Sequence, residues 1–148
     1  MNYEIETKIR ELVHQAVTWE YALIHKLAEL KKINGYVGAE KMLKKELMKY
    51  SKLTLPSCHY LMQLVSVLER LQRLGIIQGI YQRLPLSRWR ELLAIATKEN
   101  ASELAEYLIE GGELNEVKKH YAKGLKLRYN LYLSEFEFIT KDDENGNI

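Results

Sequence analysis

One apolar stripe governs what the start of this chain can fold into. Ile5, Ile9, Leu12, Ala16, Trp19, Leu23, Leu27 and Leu30 recur at spacings of three and four, which is the period of one helical face. The stripe calls for a helix of about thirty residues. Asn34-Gly35 supplies its stop signal. A helix of that length exceeds the usual globular element, so two destinations are open. It pairs with a copy of itself, or it folds onto its own domain. Only two prolines and eight glycines occur among 148 residues, which points to long regular elements throughout.

A second helix is expected over about 38–50, with Leu43 and Leu47 inward. Lys41, Lys44, Lys45, Lys49 and Lys52 gather on its outer side. Leu55-Pro56-Ser57 then opens a third helix, with Pro56 in the first turn, where a missing N–H costs nothing. Leu61, Leu64, Val65, Leu68, Leu71 and Leu74 form its inner face and Gly75 ends it. Ser57, Tyr60, Gln63, Arg70 and Arg73 form its outer face. The segment at about 39–74 therefore has the layout of a helix-turn-helix, in which one helix braces a second that enters the major groove. A leucine-rich helix after proline is equally at home in a plain helical bundle.

Downstream, Pro85 punctuates a short apolar stretch and Ser87 is placed to cap a helix over RWRELLAIATK. Asn100 and Glu103 match a capping box for ASELAEYLIE. Gly111-Gly112 closes that helix, and ELNEVKKHYAK forms a last one before Gly124. The period then changes to two. Leu125, Leu127, Tyr129, Leu131 and Leu133 alternate with more polar residues, a strand signal. Phe136 and Phe138 continue it after a phase shift that reads as a bulge. A lone strand needs a partner, and no tight hairpin turn is evident. The inference is pairing with the same strand of a second chain; the alternative is an irregular arm over the helical core.

The expected fold is thus mainly α, a helical bundle containing a helix-turn-helix, with a long N-terminal helix and a C-terminal β-strand. Residues 1–124 form the helical domain. Residues 125–140 form the strand or arm, a possible dimerisation element. Residues 141–148, KDDENGNI, read as a disordered tail.

The formal net charge of +2 conceals an asymmetry. Residues 26–90 hold eight lysines and five arginines against four glutamates, a balance of +9. Arg70, Arg73, Arg83, Arg88 and Arg90 are five of the seven arginines. A basic centre of this kind suits phosphate binding, because each neutralised phosphate releases a counterion. A lysine-rich helix also does nothing more than solubilise a surface in many proteins.

Signals for catalysis are lacking. His14, His25, His59 and His120 form no metal-ligand spacing, and Cys58 and His59, as helix neighbours, do not face each other. No glycine-rich phosphate loop occurs. The expectation is a non-enzymatic chain with no catalytic residues, metal or cofactor. One cysteine precludes an internal disulfide and fits the cytoplasm. No apolar run nears the ~18 residues of a membrane span, and the first residues lack the apolar core of a signal peptide.

The base-reading candidates are Ser57, His59, Tyr60 and Gln63, since Gln63 can pair with adenine and the others can reach bases or phosphates. Lys41, Lys44, Lys45, Lys49, Lys52, Arg70 and Arg73 are the phosphate candidates. The stretches LTLPSCHYLMQLVSVL, LPLSRWRELLAI and ELAEYLIEGGELNEVKKHY resemble the central DNA-binding region of ParB-type partition proteins, including KorB-like plasmid relatives. The resemblance covers residues 53–121. It implies that Ser57, His59, Tyr60 and Gln63 lie on a recognition helix. Pro56 departs from that family's polar cap, and the family's nucleotide-binding domain has no counterpart here. The N-terminal half is similar to small phage and plasmid helix-turn-helix proteins of unknown function.

The expected function is therefore DNA binding, as a phage- or plasmid-type regulator or partition accessory. The expected partner is double-stranded DNA, and the expected assembly a homodimer. Two-fold pairing would set two recognition helices about one turn of DNA apart. The alternative is a helical protein–protein interaction module, a scaffold or inhibitor, that docks on an unidentified protein.

Overall fold

The computed structural model describes residues 2–140; the tail at 141–148 lies outside them. Among the described residues the chain is mainly α, with six helices followed by a two-stranded antiparallel sheet. The first helix, α1 (Asn2–Met48), runs far past the expected stop. Gly35 still breaks it, at φ 76° and ψ 172°, a region open essentially to glycine alone. A Cβ at Gly35 would meet nothing within 4 Å, so backbone conformation, not crowding, requires glycine there. The second limb begins at once, without a loop.

The first limb buries only the end of the face its periodicity marks, at Leu27 and Leu30, together with a second face. Tyr21, Ile24, Leu27 and Ala28 enter the core, with Val17 and Leu30 packed against it. Ile5, Ile9, Leu12, Trp19 and Leu23 stay exposed. At 100° per residue Val17, Tyr21, Ile24 and Ala28 lie roughly a third of a turn from the exposed stripe, so this limb carries two apolar faces, and Leu27 and Leu30 continue the stripe into the core.

Helix α2 (Cys58–Arg73) packs on α1 and on the later helix at 86–92, and buries Leu61, Leu64, Val65, Leu68 and Leu71. Lys31 reaches Glu69 at 2.6 Å, and the Cys58 thiol faces the Glu40 carbonyl at 3.7 Å. These contacts set α2 antiparallel to the end of α1. Ser57 caps α2 by accepting from the Tyr60 N–H at 3.1 Å. Pro56 therefore precedes the cap and is not in the first turn.

Short helices α3 (Gln78–Tyr81) and α4 (Leu86–Leu92) close the core over α1 and α2. Trp89, Leu86 and Leu92 are fully buried. α4 starts from Pro85 with no side-chain cap, so Ser87 lies inside the helix. Helix α5 (Ala101–Ile109) lacks the expected capping box. The Asn100 side chain instead accepts from the Thr97 N–H at 2.7 Å and donates to the Ile95 carbonyl at 2.8 Å. It ties down the preceding turn. α6 (Leu114–Ala122) follows.

The C-terminal segment overturns the expectation of strand pairing between chains. β1 (Lys126–Asn130) and β2 (Glu135–Ile139) pair with each other, Lys126 opposite Ile139 and Asn130 opposite Glu135. What read as a bulge is a turn over 131–134. The Asn130 carboxamide oxygen accepts from the N–H groups of Tyr132 and Leu133 at 2.9 and 3.1 Å, and Ser134 adopts φ 53°. This is an Asx-type turn. The sheet rests on α5 and α6: Tyr107 meets Phe136 and Phe138 edge-on, and His120 stacks on Phe138 at 4.0 Å.

Candidate nucleic-acid interface

The second limb of α1, residues 36–48, places its charged side chains by helical period. Ala39 and Leu43 are buried and Leu47 is half-buried. Lys41, Lys44 and Lys45 therefore point to solvent, as do Lys49 and Lys52 beyond the helix end. They are not electrostatically equal. Lys44 is bound to Glu40 at 3.1 Å and Lys49 to Glu46 at 2.9 Å. The Lys44 hydrogen bond holds the Glu40 carboxyl below its ordinary range, with help from the Tyr36 hydroxyl, and Glu40 in turn raises Lys44. Lys41, Lys45 and Lys52 make no ion pair among the described residues. Of the five lysines, these three are the ones free to meet a phosphate.

On α2 the open face is a stripe. His59, Ser66, Arg70 and Arg73 are exposed and Gln63 is half-exposed, at spacings of three and four. Gln63 Nε2 and His59 Nε2 sit 3.0 Å apart, so one donates to the other. Ser66 belongs to this stripe and sequence reasoning missed it; the same three–four spacing that marks Gln63 and Arg70 includes it. The stripe runs roughly 21 Å from His59 to Arg73 at 1.5 Å per residue.

Two of the expected base-reading residues are placed differently. Tyr60 turns inward and packs against the core, because it lies beside the buried Leu64 and Val67 on the helix surface. The Ser57 hydroxyl is exposed but is engaged as the α2 cap. The antiparallel packing brings Glu40 and its paired Lys44 to the His59 end of the stripe. Arg70 and Arg73 lie at its other end, near Lys31. The connection between the helices, residues 49–57, is nine residues long, longer than the three to four residues of a compact helix-turn-helix.

Cys58 is half-buried, and burial raises its thiol above the ordinary value. It is thus a poor nucleophile at neutral pH. Among the described residues no group of three His, Cys, Asp or Glu side chains is arranged to hold a metal ion. No described helix is long and apolar enough to cross a membrane.

No family model, curated protein or solved structure matches this chain.

Proposed function

We propose that this protein binds duplex nucleic acid, with the end of α1 and the open face of α2 as its contact surface. The observation that carries the reading is that Lys41, Lys45 and Lys52 are exposed and without carboxylate partners, on and just beyond the limb of α1 that packs against α2. Phosphate contacts need free cations, and lysine supplies them as point charges. Base contacts need polar groups able to reach an edge, and Gln63 and His59 are of that type. Arg70 and Arg73 extend the same face with planar guanidinium groups suited to phosphate.

The resemblance of residues 53–121 to partition-type DNA-binding regions is consistent with this surface, as is the +9 balance of residues 26–90. A phage- or plasmid-type regulator or partition accessory is the biological setting that fits. The test separates positioning from reading. Lys41→Ala, Lys45→Ala and Lys52→Ala together should weaken binding to every duplex alike and lower the count of released counterions by about three. Gln63→Ala should relax discrimination between sequences and leave the salt dependence unchanged. Duplex binding unaltered in the triple-lysine variant would refute the assignment.

A further inference from the structure

The first limb of α1 presents an apolar stripe that the chain itself does not cover. Ile5, Ile9, Leu12, Ala16, Trp19 and Leu23 are spaced four, three, four, three and four. That is a strict a/d seam of period 3.5. Trp19 is 75% exposed and Ile5 62%. Val17, Tyr21, Ile24 and Ala28 hold the helix to the body on another face, so the stripe is open from Ile5 to Leu23; Leu27 and Leu30, further along the same face, are covered by the core.

We infer that this stripe is the seam of an antiparallel two-helix coiled coil formed with a second copy of this chain. Three features favour a copy and this direction. In a register that sets Ala16 opposite the partner's Trp19, the smallest seam residue faces the largest on both sides of the two-fold axis. The same register sets Leu12 opposite the partner's Leu23. A parallel pairing would instead face Trp19 with Trp19 and Ala16 with Ala16, crowding one layer and hollowing the next. The antiparallel register also brings Lys8 against the partner's Glu29. In one chain these make only exposed local pairs, Lys8 with Glu11 at 3.8 Å and Glu29 with Lys26 at 3.3 Å. The open face is apolar as well: Leu12, Val13, Trp19 and Leu23 are 51%, 57%, 75% and 44% exposed.

Antiparallel pairing sends the two lysine-rich ends in opposite directions. The two contact surfaces would then be well separated and not adjacent as on a compact palindrome. The pairing stands independently of what those surfaces bind.

The experiment is light scattering after size exclusion on the full chain, with no nucleic acid present. The wild type should be dimeric. Leu12→Glu should be monomeric with unchanged helix content, since Leu12 is outside the core. If Leu12→Glu fails to fold, surface charge reversal decides: Lys8→Glu should weaken the dimer at least several-fold, and Lys8→Glu with Glu29→Lys should restore it. Direction is read by spin labels at Glu4→Cys in a Cys58→Ser background, expected roughly 40 Å apart at 1.5 Å rise per residue. A monomeric wild type, a dimeric Leu12→Glu, no effect of charge reversal, or labels within about 20 Å as a parallel pair requires would each overturn the proposal.

Discussion

The phenol oxygen of Tyr21 and the indole nitrogen of Trp89 converge on one acceptor, the carbonyl of Tyr81, at 2.7 and 2.5 Å. The Tyr21 oxygen also lies 2.6 Å from the Leu84 carbonyl. Three elements are joined there: α1 through Tyr21, α3 and its exit through the carbonyls, and α4 through Trp89. Burial, and then the charge of Glu20, push the Tyr21 phenol far above its ordinary value, so it keeps its proton and remains a donor. Tyr21→Phe leaves the ring packing intact and strips a buried carbonyl of its donor. The expected cost is about 1–3 kcal/mol, measured as a lower urea midpoint with unchanged slope.

Glu20 sits against the same junction. One of its carboxylate oxygens is buried without a partner. Burial raises its pKa above the ordinary 4.5, offset in part by the Leu86 N–H. A carboxyl with a raised folded-state pKa contributes stability below its ordinary value and loses that contribution as pH climbs through the folded value. Wild-type stability should therefore carry a Glu20-dependent decline from about pH 4 towards neutrality. Glu20→Gln removes the charge, so its melting temperature should exceed the wild type by more at pH 7 than at pH 4. Equal differences at the two pH values would show that the carboxylate is not strained by burial.

Gly35 should tolerate no side chain despite the open space around it. With φ at 76° and ψ at 172°, Gly35→Ala strains the backbone by about 1–3 kcal/mol. The expected result is a lower thermal midpoint. A variant as stable as the wild type would mean that the two limbs of α1 straighten at no cost.

These positions show what could be read from the residues alone and what could not. The spacing from Ile5 to Leu30 revealed a long helix, and Asn34-Gly35 marked its break. Period alone does not rank the two apolar faces of this helix: Tyr21 and Ile24 enter the core with Leu27 and Leu30 of the stripe, while Trp19 and Leu23 stay exposed. The Leu61–Leu71 spacing identified α2 and its inner face. A tyrosine suits either side of a helix, so only the packing of α2 decides that Tyr60 turns inward. The hairpin was hidden by its turn. Asn130 and Ser134 build it without the Asn-Gly or Asp-Gly pair that marks tight turns, and leucines at 131 and 133 carried the strand alternation through it. On the candidate interface the exposed lysines were legible from period. Which of them lie free was not, since that depends on Glu40 and Glu46 lying within reach of Lys44 and Lys49.

Binding of a random-sequence duplex, titrated at about 50 and about 200 mM salt, tests the central claim most directly. With Lys41, Lys45 and Lys52 meeting phosphates, the observed affinity should fall by roughly a factor of 40 or more over that range, following a slope near −0.9 per phosphate contacted. An affinity that does not change with salt, or no binding at the lower concentration, would contradict a nucleic-acid function.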